Sequence, residues 1–404
     1  MTSEWNHFAL GEITELVIDY RGKTPKKLGG DWCKQGYRAL SAKNIKTGRI
    51  VQAETIRYID ESLYRKWMKD EVQRGDILIT SEAPFGQIFF WDSDEKIVLS
   101  QRLFCVRIKP EYDARFIYYY MTTPEFQSEL DGRATGTTVI GLRQPELMKC
   151  IIRCPEIQEQ KVIAAILSSI DAKIIANEKV NDNLQQQAAA IFRSWFVDCA
   201  PFGGKAPDEW ENVTLEDITA LVSRGITPKY ADDTDQIVIN QKCIRNHTID
   251  LTLARTHTPK IINEKWLRFG DLLINSTGDG TLGRAAQVWF QPKNLTVDSH
   301  VTIARPAKEN LIFYIGLWGI LHEKEIESLH TGSTGQTELP RDRVKAMELL
   351  LPDNETLDRF NGLITPMAAA IVANQEENNR LAALRDAILP KLMSGEIDVS
   401  AIQL

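Results

Sequence analysis

From residue 163 onward the apolar positions step forward by four, three, four and three residues, through Ile163, Leu167, Ile170 and Ile174. The stepping then passes through two asparagines, Asn177 and Asn181, and returns to apolar or small residues at Leu184, Ala188, Ile191 and Trp195. A spacing averaging about 3.5 residues is the seam of a long helix packed along another helix. The seam recurs 197 residues later (371 − 174) as Phe360, Ile364, Met367, Ile371, Asn374, Asn378, Leu381, Arg385, Ile388 and Leu392. Its central stretch, IIANEKVNDNL at 174–184, reappears as IVANQEENNRL at 371–381. A buried asparagine is tolerated in such a seam where it meets another polar group, and it then fixes register. Two helices that each carry an asparagine pair are therefore expected to pair with each other. Antiparallel pairing sets Asn177 against Asn378 and Asn181 against Asn374. Parallel pairing also satisfies the spacing, but the approximate two-fold axis expected of a duplicated chain favours the antiparallel choice. The helix-pairing positions are Ile170, Ile174, Asn177, Asn181 and Leu184 on one side, and Met367, Ile371, Asn374, Asn378 and Leu381 on the other.

Outside the helices the pattern changes to short aliphatic runs at 77–80, 97–99, 104–108, 272–275 and 301–304, separated by Gly, Pro and Asp turns. Short helices are expected over 113–130 and 308–328. These blocks are duplicated too, and in the same order. LGEITELVIDYRGKTPKK from Leu10 answers LEDITALVSRGITPKY from Leu215, RGDILITS at 74–81 answers FGDLLINS at 269–276, and ATGTTVIGL from Ala134 answers HTGSTGQTEL from His330. The expected fold is α+β: two globular domains with mixed, mainly antiparallel strands, at 1–155 and 200–352, and two long helical segments at 156–199 and 353–404 that pair as an antiparallel coiled coil with pseudo-two-fold internal duplication. DCAPFGGKAPDEW at 198–210, rich in Pro and Gly, reads as the linker between the halves.

At 43% hydrophobic and 25% charged residues the composition is globular. No charged-then-apolar leader follows Met1, and the most apolar run, LIFYIGLWGIL at 311–321, is too short to span a bilayer. A cytoplasmic protein with no membrane segment is expected. The six cysteines and six histidines show no zinc spacing, so neither a disulfide nor a metal is expected.

The net charge of −7 argues against indiscriminate coating of a polyanion and directs attention to local charge. Arg21, Lys23, Lys26, Lys27, Lys34, Arg38, Lys43, Lys46 and Arg49 fall in one stretch whose single acid is Asp31, with Tyr20, Trp32, Tyr37, Gln35 and Asn44 interleaved. Such a run can neutralise phosphates, and its amides, Asn44 among them, can reach base edges. The corresponding stretch of the second half offers Arg224, Lys229, Gln241, Lys242, Arg245, Asn246, His247 and Arg255, interrupted by Asp232, Asp233 and Asp235. Each member taken alone reads equally well as a solvated surface charge.

Chemistry of the chain's own is not indicated. No Asn/Asp-Pro-Pro-aromatic motif of an amino-methyltransferase and no Gly-x-x-x-x-Gly-Lys-Ser/Thr phosphate loop occurs. The glycine-rich run STGDGTLGRAA at 276–286 lacks the lysine and reads as a strand connection. No catalytic residue is assigned.

Four stretches carry a family resemblance: LPKLMSGEIDV at 389–399, FRSWFVD at 192–198, GSTG at 332–335 and CPEIQEQKVIAAI at 154–166. Through them the chain resembles the specificity subunits of type I restriction–modification systems, over essentially its whole length. The resemblance implies a non-catalytic reader of double-stranded DNA. Two target recognition domains would each bind one half of a bipartite, asymmetric target, and the paired helices would set the spacing and dock two modification (methyltransferase) subunits. Restriction/translocase subunits would complete the complex. S-adenosylmethionine, ATP and Mg would be held by those partners, and this chain would bind no cofactor. The competing reading is a non-enzymatic coiled-coil scaffold with two repeated protein- or glycan-binding domains.

Overall fold

The computed structural model describes residues 5–136, 140–278, 280–332, 337–400 and 402. Part of each Gly/Thr block, including residues 333–335 of the GSTG stretch, lies outside the described residues. The chain forms two compact units, Met1–Lys173 with Arg380–Leu404, and Ile174–Asn379. Each combines one globular block with part of both long helices, Ile157–Phe196 and Asn354–Met393.

In the first unit a four-stranded antiparallel sheet runs in the order Thr14–Asp19, Leu103–Ile108, Ile77–Thr80, Ile88–Phe90. Its central strand ILIT is buried throughout because the sheet is covered on both faces. Ile77, Ile79, Phe104 and Val106 point into a core shared with the helix Ala114–Met121 and with Ile163 and Leu167 of the first long helix. Leu78, Leu103 and Cys105 point the other way, into a second core with Leu63, Tyr64 and Trp67 of the helix Glu61–Trp67. A three-stranded sheet, Arg57–Ile59, Tyr37–Leu40, Val98–Leu99, borders that second core.

The second unit repeats the plan with its own side chains. Its four-stranded sheet has the order Thr219–Arg224, Val301–Pro306, Leu272–Asn275, Ala285–Gln287. Leu272 and Ile274 face one core and Leu273 the other. The matching three-stranded sheet is Arg255–Thr256, Ile237–Ile239, Leu295–Val297. Both central strands begin at a Gly-Asp pair whose buried carboxylate holds an arginine, buried in the second unit and partly buried in the first. Asp271 receives Arg305 Nε and Nη2 at 2.8 and 2.7 Å, and Asp76 receives Arg107 in the same bidentate way at 2.9 and 2.8 Å.

Two expected helices are broken. The segment expected over 113–130 divides into Ala114–Met121 and Pro124–Arg133, because the Thr123 hydroxyl caps Phe126 N and Pro124 sits in the first turn. The segment expected over 308–328 divides into Ile312–Leu321 and Glu323–Ser328 at His322.

The seam asparagines meet in the second unit. Asn177 Nδ2 donates to Asn378 Oδ1 at 2.8 Å, and Asn374 Nδ2 donates to Asn181 Oδ1 at 2.8 Å. Moving forward along one helix pairs with moving backward along the other, so the helices run antiparallel. Asn177 and Asn181 are buried, and each amide finds the partner that makes burial tolerable. Asn177 also donates to Glu377, and Asn378 to the Ile174 carbonyl. In the first unit the polar seam position Arg385 is likewise satisfied: it bonds Asp171 at 2.9 Å, and Asp171 also accepts the Tyr119 hydroxyl.

Candidate nucleic-acid interface

The basic stretch of the first unit leaves the strand Thr14–Asp19 as a loop with one short turn, Lys26–Leu28, closed by Gly29 in the left-handed conformation. Folding divides its charges into two groups. Arg21 grips Asp19 through Nε and Nη2, donates to the Leu142 carbonyl, and lies with Cζ 4.1 Å from the Phe104 ring centroid. Lys23 donates to the Trp67 carbonyl, and burial lowers its pKa from the usual lysine range. Lys27 donates to the Gly22 carbonyl, and Arg38 pairs with Glu95. These four brace the fold. By contrast Lys26, Lys34 and Lys43 are exposed, and their ammonium groups bond no other described residue. Lys46 and Arg49 are exposed on the hairpin that follows.

Asn44 is turned inward. It is 1% exposed, its carbonyl accepts from Ser41 N and Oγ, and its amide reaches Thr55 and the Gln52 carbonyl. An amide with both ends satisfied inside its own loop has nothing left for a ligand.

The second unit repeats this division. Arg224 pairs with Glu338 and donates to the Leu339 carbonyl, as Arg21 does to Leu142, so both arginines tether the strand end to the Gly/Thr block. Gln241 accepts the Thr277 hydroxyl through its side chain and Asn275 Nδ2 through its carbonyl. Arg245 belongs to the strand Ile244–Arg245, and Asn246 and His247, both with positive φ, form the turn to Thr248–Ile249. Lys229, Lys242 and Arg255 remain exposed.

His247 Nε2 lies 3.1 Å from Glu323 Oε2, and this contact raises its pKa above the ordinary histidine value. The charged pair is fully present below the unfolded-state pKa and is lost as pH rises through the higher folded value. NMR titration of His247 is expected to give a midpoint above that of a free histidine, and Glu323→Gln should lower it. An unmoved midpoint in the variant would mean that the carboxylate does not hold the imidazolium.

At Lys43 the surface holds a recess of about 190 Å³, lined also by Trp32, Ser41, Arg57 and Gln101 among others. Arg57 and Gln101 were not among the residues expected from sequence. The signal for Arg57 was present, since its strand position is matched in the other half by Arg255, but a one-residue offset between the loops hides it. Among the described residues no group of three or more His, Cys, Asp or Glu side chains is placed to hold a metal ion.

A family model described as the type I restriction modification DNA specificity domain matches residues 2–186. The MjaIX specificity subunit of Methanocaldococcus jannaschii is 26% identical over 81% of this chain and 79% of its own length. The HindI specificity subunit of Haemophilus influenzae is 22% identical over 81% and 88%. The crystal structure of a type I restriction–modification S subunit from M. genitalium shares the fold at a TM-score of 0.56 and 14% identity, covering 96% of each chain. With one sheet plan built twice, an asparagine-keyed helix pair, and relatives matched along most of their length, the chain is similar to the specificity subunits of type I restriction–modification systems.

Proposed function

We propose that the globular blocks 1–155 and 200–352 are two target recognition domains, each reading one half of a bipartite, asymmetric DNA target. The observation that carries this reading is the repeat of one sheet plan under two different surfaces. Strand order and pairing recur in both units, while the exposed side chains differ: Lys26, Lys34 and Lys43 in one, Lys229 and Lys242 beside Asp232, Asp233 and Asp235 in the other. A common scaffold with different contact residues suits two unlike half-sites. The helical segments 156–199 and 353–404 set the separation of the half-sites and dock two methyltransferase subunits, to which restriction/translocase subunits are added. Those partners hold S-adenosylmethionine, ATP and Mg. No helix among the described residues is long and apolar enough to cross a membrane, and a DNA substrate places the work in the cytoplasm.

Phosphate contacts give affinity, and each one neutralised releases counterions. The assembled methyltransferase carrying Lys26→Ala, Lys34→Ala and Lys43→Ala together is expected to bind its target less tightly at low salt. The slope of log affinity against log salt should fall by about 2 to 3 in magnitude. Lys23 and Lys27 are left in place because their ammonium groups serve the loop. A slope equal to that of the parent complex would remove this surface from the DNA interface.

A further inference from the structure

The two arginines at the edge of the small sheets occupy one place in the fold twice. Arg57 stands opposite Ala39 on the middle strand, and Arg255 stands opposite Val238. On the other side of that middle strand, Ala39 and Val238 face Val98 and Thr296 of a parallel partner. The equivalence therefore rests on backbone register in both directions.

Each guanidinium lies on an aromatic ring. Arg57 Cζ is 4.3 Å from the Trp32 ring centroid, and Arg255 Cζ is 3.7 Å from that of Tyr230. Each ring precedes its arginine by the same number of residues (57 − 32 = 255 − 230 = 25). The ring-bearing segment is held against the edge strand by a bridge, Cys33 with Tyr58 in one unit and Tyr230 with His257 in the other. Trp32 is backed by the buried Trp67, with ring centroids 6.3 Å apart.

Both arginines are exposed, and the guanidinium of neither forms a hydrogen bond or ion pair with another described residue. Arg21, Arg38 and Arg224 show the contrast, since their guanidinium groups are engaged by carboxylates. A guanidinium stacked by its face keeps its plane fixed and its N–H donors directed outward. That is the arrangement needed to donate two parallel hydrogen bonds to O6 and N7 of guanine in the major groove. In the first unit the stack also lines the recess that holds Lys43 and Gln101.

We infer that Arg57 and Arg255 are equivalent base-reading residues, each recognising the guanine of a G·C pair in the half-site its own domain binds. The inference rests on the assignment of the two blocks as target recognition domains. The test maps methylated adenines by sequencing DNA treated with the assembled methyltransferase carrying Arg57→Lys, Arg57→Ala or Arg255→Lys. Lysine keeps the charge and loses the fork, so it separates base reading from phosphate attraction.

The parent target is expected to contain a G·C pair in each half. Arg57→Lys and Arg57→Ala should relax the choice at one such pair in one half, by roughly ten- to a hundred-fold, leaving the other half unchanged. Arg255→Lys should do the same in the other half. Variants that methylate the parent sequence with no relaxed position, or with an even loss across all sites, overturn the inference while leaving the half-site reading intact. A parent complex that methylates DNA with no sequence preference overturns both.

Discussion

Asp271→Ala is expected to destabilise the second unit by about 3–5 kcal/mol, the magnitude for stranding one member of a buried ion pair. Asp271 is 1% exposed and Arg305 side-chain exposure is 7%, so the guanidinium cannot turn to water when its partner is lost. It would keep its bonds to the Glu264 and Trp266 carbonyls but lose the charge that compensates it. Calorimetry of the purified chain should show an early transition in the variant. The double change Asp271→Leu with Arg305→Met removes both charges and should recover most of the loss, because apolar packing often replaces such a pair without penalty. Asp76→Ala should be milder, since the Arg107 side chain is 18% exposed. A loss below about 1 kcal/mol for Asp271→Ala would place this pair with surface salt bridges instead.

Exchange of residues 1–155 for the corresponding block of a relative is expected to change one half of the methylated sequence and leave the other as it was. The block closes most of two cores by itself, one of them without the long helices. Its other core includes Val162, Ile163 and Leu167 from the first long helix and Leu392 and Met393 from the second. The donor must therefore present apolar residues of similar volume to those five, or the graft will lose stability through cavities. Sequencing of methylated sites reads the result. A change in both halves would contradict independent reading by the two blocks.

Sequence reasoning reached the backbone-level features because each is written in a local repeat. The long helices were legible from the seam, and the facing of Asn177 with Asn378 from the need of a buried amide for a partner together with the approximate two-fold axis expected of a duplicated chain. The fully apolar ILIT and LLIN runs signalled strands covered on both faces. The breaks at Thr123 and His322 were missed for different reasons. A Thr-Pro start signal lay inside an otherwise helical pattern in the first case, and no breaker marked the second.

Side-chain availability was not legible in the same way. Lys23 and Lys26 are equivalent in a charge count, yet one ammonium bonds the Trp67 carbonyl and the other is exposed. Arg21 and Arg57 differ likewise: the first is engaged by Asp19 and Leu142 O, the second only stacked on Trp32. The partners that decide these cases are as far as 121 positions away along the chain. The sequence by itself determined the duplication, the helix pair and the strand cores, because periodicity and the cost of burying polar groups act between near neighbours or between copies. Only the tertiary structure decided which charges face outward with nothing to bond, because that depends on which distant carbonyls and carboxylates the fold brings within hydrogen-bond reach.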